Sequence, residues 1–101
     1  MKVVWSPRAQ RRALEIADAI AADRPEAAAA WLEALIARVG ELDRLAKRGR
    51  VVPEIGKPEY RELILAPYRV IYRIHSARVI VLTVRHSRRT FDRREVESGE
   101  R

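Results

Sequence analysis

One stretch of the chain decides its fold, and it runs from residue 49 to residue 89 as GRVVPEIGKPEYRELILAPYRVIYRIHSARVIVLTVRHSRR. Apolar and polar residues alternate along it, which is typical of strands in a half-buried sheet. Three successive strands are predicted: Tyr60–Leu65, Tyr68–His75 and Val79–Arg85. The short segments Ala66-Pro67 and Ser76-Ala77 can connect them, so the stretch predicts an antiparallel β-meander.

The middle predicted strand has two different faces. One face carries Tyr68, Val70, Tyr72 and Ile74 and is expected to lie beneath helices. The other face carries Arg69, Ile71, Arg73 and His75 and is expected to be partly open and basic. Before the meander, the residues from Arg50 to Ile55 predict a short edge strand, because Pro53 argues against a central position.

Two helices are predicted ahead of the sheet. A short strand over Lys2–Trp5 leads to Ser6 and Pro7, which suit the cap and first position of a helix ending near Asp23-Arg24. From Pro25 a second apolar stripe recurs at helical spacing as far as Ala46, and Gly49 is then expected to form a left-handed cap. The fold class is therefore α+β: an N-terminal strand, a helical hairpin, an antiparallel meander, and a short C-terminal helix or tail from about residue 88. The whole chain, residues 1–101, is expected to form one domain.

Composition excludes several kinds of site. The chain has 101 residues and no cysteine, which excludes disulfides, thiolate nucleophiles and cysteine-based zinc sites. With two histidines in total, no metal and no cofactor is expected. The apolar runs are too short for a signal peptide or a membrane span, so a cytoplasmic protein without a membrane partner is expected.

The net charge of +7 is concentrated in the second half of the chain. Between Lys57 and Arg94 ten basic residues face three acidic ones, and this local excess equals that of the whole chain. An anionic partner is therefore expected to meet the sheet.

Three segments together carry a resemblance to a known family. They are Arg61-Glu62-Leu63, the run YRVIYR over residues 68–73, and the run RHSRR over residues 85–89. On the predicted order of elements, they resemble toxins of the RelE/ParE superfamily, the effector halves of bacterial type II toxin–antitoxin pairs. The preceding GRVVPEIGKPEYREL is similar to the ParE branch. The resemblance implies a cytosolic toxin silenced by a ParD-like antitoxin, whose disordered C-terminal segment wraps the toxin along its basic sheet face and an apolar helical groove.

Members of the superfamily act on two kinds of target, and the presence or absence of a nuclease site distinguishes the two kinds of member. RelE-like members cut mRNA on the ribosome, and here the candidate catalytic residues would be Arg61, Arg69, Arg85 and His86. Lys57 could add a cation to this site, and Glu59 could act as a base. Ser87 stands where the nuclease branch often has tyrosine, and no tyrosine follows Tyr72. The sequence therefore favours a ParE-like inhibitor of DNA gyrase without its own catalysis, with the RelE-like ribosome-dependent endoribonuclease as the alternative.

Seven basic residues are candidates for contact with the antitoxin or the target. They are Lys57, Arg61, Arg69, Arg73, Arg85, Arg88 and Arg89. Structural roles stay open for three residues of the sheet. Arg69 and Arg73 could pair with Glu62 and Glu54, and His86 could cap the end of a strand. Arg85 is expected to share a face with Thr83 and Val81, with its charged head emerging at the strand end.

A third hypothesis is a basic nucleic-acid-binding domain without toxicity. Base stacking would then need an exposed aromatic residue, and Phe91 is the candidate near the basic cluster. Trp5 and Trp31 fall instead on apolar faces and are predicted to pack into the core, whereas His75 is predicted to be solvated.

Overall fold

The computed structural model describes residues 1–97, and it confirms the α+β fold. The strands are β1 (Lys2–Trp5), β2 (Arg50–Val51), β3 (Tyr60–Leu65), β4 (Tyr68–His75) and β5 (Arg78–His86). The helices are α1 (Pro7–Ala21), α2 (Pro25–Gly40) and α3 (Arg93–Glu97), with a 3-10 turn at Glu41–Asp43. The predicted meander and the C-terminal helix are both present, and residues 98–101 lie outside the described part of the chain.

The five strands form one sheet in the order β1-β5-β4-β3-β2. The pairs within β2–β5 are antiparallel, whereas β1 runs parallel to β5 with Lys2 opposite Arg78. Parallel neighbours need a long crossover connection. Here that crossover contains the α1–α2 hairpin, which packs on one face of the sheet, the inner face.

The start of α1 follows the sequence prediction. Ser6 caps the helix by accepting a 3.0 Å hydrogen bond from the N–H of Ala9, and Pro7 is the first helical residue. The Ser6 hydroxyl also donates to the carbonyl of Leu82 on β5. The cap therefore fixes the helix to the sheet as well as starting it.

The end of α2 differs from the prediction, since the helix stops at Gly40 rather than near Ala46. A 3-10 turn follows and buries Leu42, which continues the apolar spacing without continuing the α-helix. Gly49 is not a left-handed cap either, because the glycine with a positive φ in residues 1–97 is Gly56. The edge strand is also shorter than predicted, since β2 covers only Arg50–Val51 and residues 53–55 form a turn.

Each face of the sheet carries a buried apolar cluster. On the inner face, Val70 and Tyr72 join apolar residues of α1, α2 and the other strands, and Trp5 and Trp31 pack half-buried against them. The opposite, outer face has its own apolar cluster: Val52, Ile71, Ile80, Leu82 and Val96. The predicted basic face is open only toward the end of β4, where Arg73 is half-buried and His75 is exposed, because the turn after β2 and the C-terminal segment cover Arg69 and Ile71.

A bulge in β5 decides which side chains share the outer face. Ile71 lies opposite Thr83 and Tyr72 lies opposite Val81, so Leu82 is an extra residue without a partner on β4. The bulge puts Thr83 and Arg85 on the outer face, whereas Val81 lies in the inner-face core. The prediction that Arg85 and Val81 share a face is thus wrong.

No helix within residues 1–97 combines the length and the apolar character that crossing a bilayer requires.

Candidate functional site

Arg69 is the centre of an ionic network on the outer face. Its Nε donates to Glu62 at 2.7 Å, and its two terminal nitrogens donate to the carboxylate of Glu54 at 2.9 and 2.8 Å. Arg50 holds the second oxygen of Glu62 at 2.5 Å. The Arg69 side chain is only 8% exposed and Glu62 is fully buried. The hydrogen bonds that Arg69 donates to Glu54 and then to Glu62 raise the pKa of Arg69, so its charge is committed to these two carboxylates.

A second network is built around Glu95 of α3. Its carboxylate accepts hydrogen bonds from Thr83 at 2.8 Å, Arg12 at 2.9 Å and Arg85 at 3.4 Å. Arg8 binds the backbone carbonyl of the same residue at 2.7 Å. Burial alone would raise the pKa of Glu95, but the hydrogen bonds from Thr83 and Arg12 outweigh it and lower that pKa. The network fixes the C-terminal helix across the sheet.

Phe91 joins the two networks. The guanidinium carbon of Arg69 lies 5.4 Å from the centre of its ring, and that of Arg85 lies 5.6 Å away. Both arginines thus make cation–π contacts with one ring, which also packs against the outer-face cluster. Phe91 is half-buried in these contacts rather than exposed, so it is not the free stacking platform that the sequence suggested.

His86 has a structural environment. Its ring lies edge-on to Tyr68 with 5.5 Å between the ring centres, and its Nδ1 accepts the backbone N–H of Arg88 at 3.0 Å. Tyr68 in turn stacks edge-on against Trp31. The histidine therefore packs toward the helices and caps the end of β5.

The four residues considered for a nuclease do not converge. Arg69 and Arg85 are cross-strand partners and share the outer face. His86 is opposite Tyr68 and Arg61 is opposite Tyr72, and both tyrosines belong to the inner face. Arg61 donates to the backbone carbonyls of Pro58, Gly49 and Lys47 at the rim of the sheet.

The remaining basic candidates lie nearer the surface. Lys57, Arg88 and Arg89 are exposed, and the guanidinium of the half-buried Arg73 lies 5.4 Å from the ring centre of Tyr60. Arg12 and Glu95 are functional candidates that the sequence analysis missed. They are 83 residues apart in the chain, so no local pattern could have linked them.

An apolar groove runs between α1 and α2 and has a volume of about 400 Å³. Leu14 of α1 is 58% exposed at this groove, and Ile36 of α2 is 60% exposed. The other residues that line it are Trp5, Gln10, Ala13, Leu32 and Leu35. Large apolar side chains this exposed on facing helices are typical of a surface that a partner covers.

No group of histidine, aspartate and glutamate side chains within residues 1–97 has the arrangement of a metal site. The described surface offers arginine–carboxylate pairs and an apolar groove.

Comparison with known proteins identifies the family. The family described as "ParE toxin of type II toxin-antitoxin system, parDE" matches residues 3–91. The protein named "Putative toxin Y4kP" from Sinorhizobium fredii is 41% identical over 93 residues, which cover 85% of this chain and 88% of that protein. A solved structure titled "Chromosomal ParDE TA system from P. aeruginosa" shares the fold with a TM-score of 0.72 at 22% identity, covering 85% of this chain and 95% of that one. Because the family match extends over nearly the whole sheet and both long helices, the chain belongs to the ParE toxins of type II toxin–antitoxin systems.

Proposed function

We propose that this toxin acts in the cytoplasm by binding DNA gyrase and trapping it on cleaved DNA, without catalysis of its own. A cognate ParD-like antitoxin holds it inactive. The observation that carries the proposal is the state of Arg69, one of the three arginines considered for a nuclease site. Its guanidinium is buried between the carboxylates of Glu54 and Glu62.

A nuclease needs a proton carrier close to its cations. Here Arg69 and Arg85 face outward from the sheet, whereas His86 packs against Tyr68 on the side of the helices. Placing them around one phosphate would require breaking two ionic networks. Removing one partner of a buried ion pair typically costs about 3–5 kcal/mol, so this rearrangement is unfavourable.

The antitoxin is proposed to occupy the groove between α1 and α2. A segment that folds on binding would bury the exposed side chains of Leu14 and Ile36, and its acidic residues would meet the basic surface of the toxin. Burying this apolar surface would stabilise the complex with the antitoxin.

The test is an assay of purified toxin on gyrase, scoring supercoiling and accumulation of cleaved plasmid. Ribosomes programmed with mRNA are tested in parallel with the same preparation. Gyrase inhibition with cleaved DNA, and intact mRNA, is the expected result. Cleaved mRNA without any effect on gyrase would refute the proposal and establish the RelE-like alternative.

A further inference from the structure

Arg61 joins two loops at the rim of the sheet. Its Nε donates to the carbonyl of Pro58 at 2.9 Å, in the loop between β2 and β3. One of its terminal nitrogens donates to the carbonyls of Gly49 at 2.9 Å and Lys47 at 3.3 Å, in the loop that leads into β2. All three acceptors are neutral, and no carboxylate within residues 1–97 pairs with this guanidinium. Its positive charge is therefore uncompensated, unlike that of Arg69.

Two lysines extend from the joined loops beside this guanidinium. Lys47 supplies one of the acceptor carbonyls, and Lys57 directly precedes Pro58. Both lysines are exposed, and neither forms an ion pair in the described part of the chain. The two loops contain two carboxylates, and that of Glu54 is held by Arg69, which leaves Glu59. Three cations without an ion pair thus face one carboxylate, and we call Lys47, Lys57 and Arg61 the basic rim.

An apolar surface adjoins the basic rim. A surface cavity of about 500 Å³ is lined by the continuous segment from Arg44 to Arg48. Leu45 lines this cavity and is 47% exposed. The two arginines at the ends of the segment pair with acidic residues of the 3-10 turn, so Lys47 supplies the charge that is available beside the leucine.

The loop that carries Leu45 and Lys47 is fixed from beneath. The hydroxyl of Tyr72 donates to the carbonyl of Ala46 at 2.7 Å, and Arg61 holds the carbonyl of the next residue. A surface that is already ordered loses little conformational entropy when a partner binds. The loop is therefore suited to recognition, because its apolar and charged side chains extend from a fixed backbone.

We infer that Leu45 and the basic rim dock an acidic segment of the toxin's protein target, with an aliphatic side chain of that segment seated beside the leucine. Under the proposed function, on which this assignment rests, that target is gyrase. Carboxylates complement the uncompensated cations, and the exposed leucine favours a protein over a nucleic acid. A phosphate backbone would meet the cations but gain nothing from an apolar neighbour, whereas protein interfaces combine apolar contact with complementary charge. The groove between α1 and α2 is lined by other residues, so antitoxin and target would occupy separate surfaces.

The test compares charge reversals in the inhibition of gyrase supercoiling by the full-length toxin. Lys47→Glu and Lys57→Glu are each expected to raise the toxin concentration for half-inhibition at least about tenfold, because they would repel an acidic segment. Arg24→Glu is the matched control, since it makes the same change in net charge at the exposed turn between α1 and α2. The control should leave inhibition nearly unchanged. Equal losses in all three variants, or no loss in either lysine variant, would overturn the assignment.

Leu45→Ala distinguishes a protein segment from DNA. We expect it to weaken inhibition about three- to tenfold, because the apolar contact is lost. The side chain is about half exposed, so thermal unfolding should show a nearly unchanged Tm. Normal inhibition by Leu45→Ala would overturn the assignment to a protein segment, and weaker binding of a DNA duplex by the two lysine variants would then identify DNA as the partner.

Isothermal titration with the antitoxin separates the two proposed surfaces. Lys47→Glu should bind the antitoxin with the affinity of the wild type. A large loss of antitoxin affinity together with normal gyrase inhibition would assign the basic rim to the antitoxin and overturn its role in target binding.

Growth arrest by toxin produced without antitoxin tests the basic rim whatever the target is. Lys47→Glu and Lys57→Glu should weaken the arrest, and Arg24→Glu should retain it. A wild-type toxin that arrests growth but leaves gyrase unaffected would refute the proposed function alone. Full growth arrest by both lysine variants would overturn the inference about the basic rim, so the two failures are distinguishable.

Discussion

The backbone N–H of Gly49 donates a 2.9 Å hydrogen bond to the hydroxyl of Tyr72. The hydroxyl in turn donates to the carbonyl of Ala46 at 2.7 Å, so the phenol closes the loop between α2 and β2. Burial raises the pKa of Tyr72, which keeps the hydroxyl protonated. A Cβ on residue 49 would lie 2.6 Å from this hydroxyl and 2.6 Å from the carbonyl oxygen of Glu62.

Gly49→Ala is therefore expected to lower the free energy of unfolding by about 1–3 kcal/mol, because the buried ring and the strand must both shift. Gly40→Ala is the matched control, since nothing lies within 4 Å of its added Cβ. At the end of α2 that change should be neutral or stabilise by about 0.5–1 kcal/mol. Urea denaturation measures both, and equal effects would contradict the steric explanation.

The pairing of Glu54 with Arg69 makes stability depend on pH. Hydrogen bonds from Arg69 lower the pKa of Glu54 below its ordinary value of 4.5. A lowered folded-state pKa stabilises the fold above pH 4.5, and this contribution is lost as the pH falls through the folded-state value. The wild type should thus exceed Glu54→Gln in stability at pH 7, and the difference should shrink between about pH 5 and pH 3. A difference that stays constant over this range would contradict the ion pair.

His86→Ala tests whether the histidine has a structural or a catalytic role. We expect a loss of stability of about 1 kcal/mol, because the edge-on contact with Tyr68 and the acceptor for the N–H of Arg88 are removed. Toxicity should change only in proportion to that loss. His75→Ala, at the exposed hairpin turn, is the control and should change neither property. If toxicity fell by orders of magnitude while folding stayed intact, His86 would have to act in catalysis.

Ile36→Asp is expected to weaken antitoxin binding at least tenfold, because a charge would enter the apolar groove. The side chain is 60% exposed, so the toxin itself should fold normally. Ala30→Asp places the same charge on an exposed position of α2 that does not line the groove. Isothermal titration of both variants with the antitoxin gives the comparison, and equal affinities would place the antitoxin elsewhere.

Phe91→Ala should destabilise the fold by about 1–3 kcal/mol, since the ring covers the outer-face cluster and contacts two guanidiniums. Phe91→Leu keeps apolar packing but removes the cation–π contacts, and should cost about half as much or less. Thermal unfolding of the two variants separates the contributions. If Leu were as costly as Ala, packing would not be the main role of this ring.

The sequence predicted β3 and β4 to the residue, because a period of two is the direct consequence of strand geometry. It located β5 to within one residue at each end but missed its bulge, because the apolar run from Val79 to Leu82 does not alternate and the bulge leaves no signal of its own. Val81 was consequently grouped with Thr83 and Arg85, although it lies on the inner face. The closure of the outer face was missed for a related reason, since Glu54, Phe91 and Glu95 reach the sheet from irregular segments and from one short helix.

The two errors at the helix–sheet junction have different causes. Leu42 and Ala46 keep helical spacing after Gly40, so the pattern could not distinguish a 3-10 turn from continued α-helix. Gly49 follows an apolar stripe, as a C-terminal cap would. A glycine is needed there for another reason, since the hydroxyl of Tyr72, 23 residues later, lies against its backbone. Close approach between distant segments has no signature in local sequence.

The parallel pairing of β1 with β5 has a consequence for biosynthesis. The first strand cannot find its partner until the last one has left the ribosome, because Lys2 is opposite Arg78. At roughly 5–20 residues per second this interval lasts about 4–15 s. During it, the local contacts of the α1–α2 hairpin can already form, whereas the sheet stays incomplete. The helices of a nascent toxin are thus expected to be available for antitoxin binding before the sheet is complete and the toxin can act.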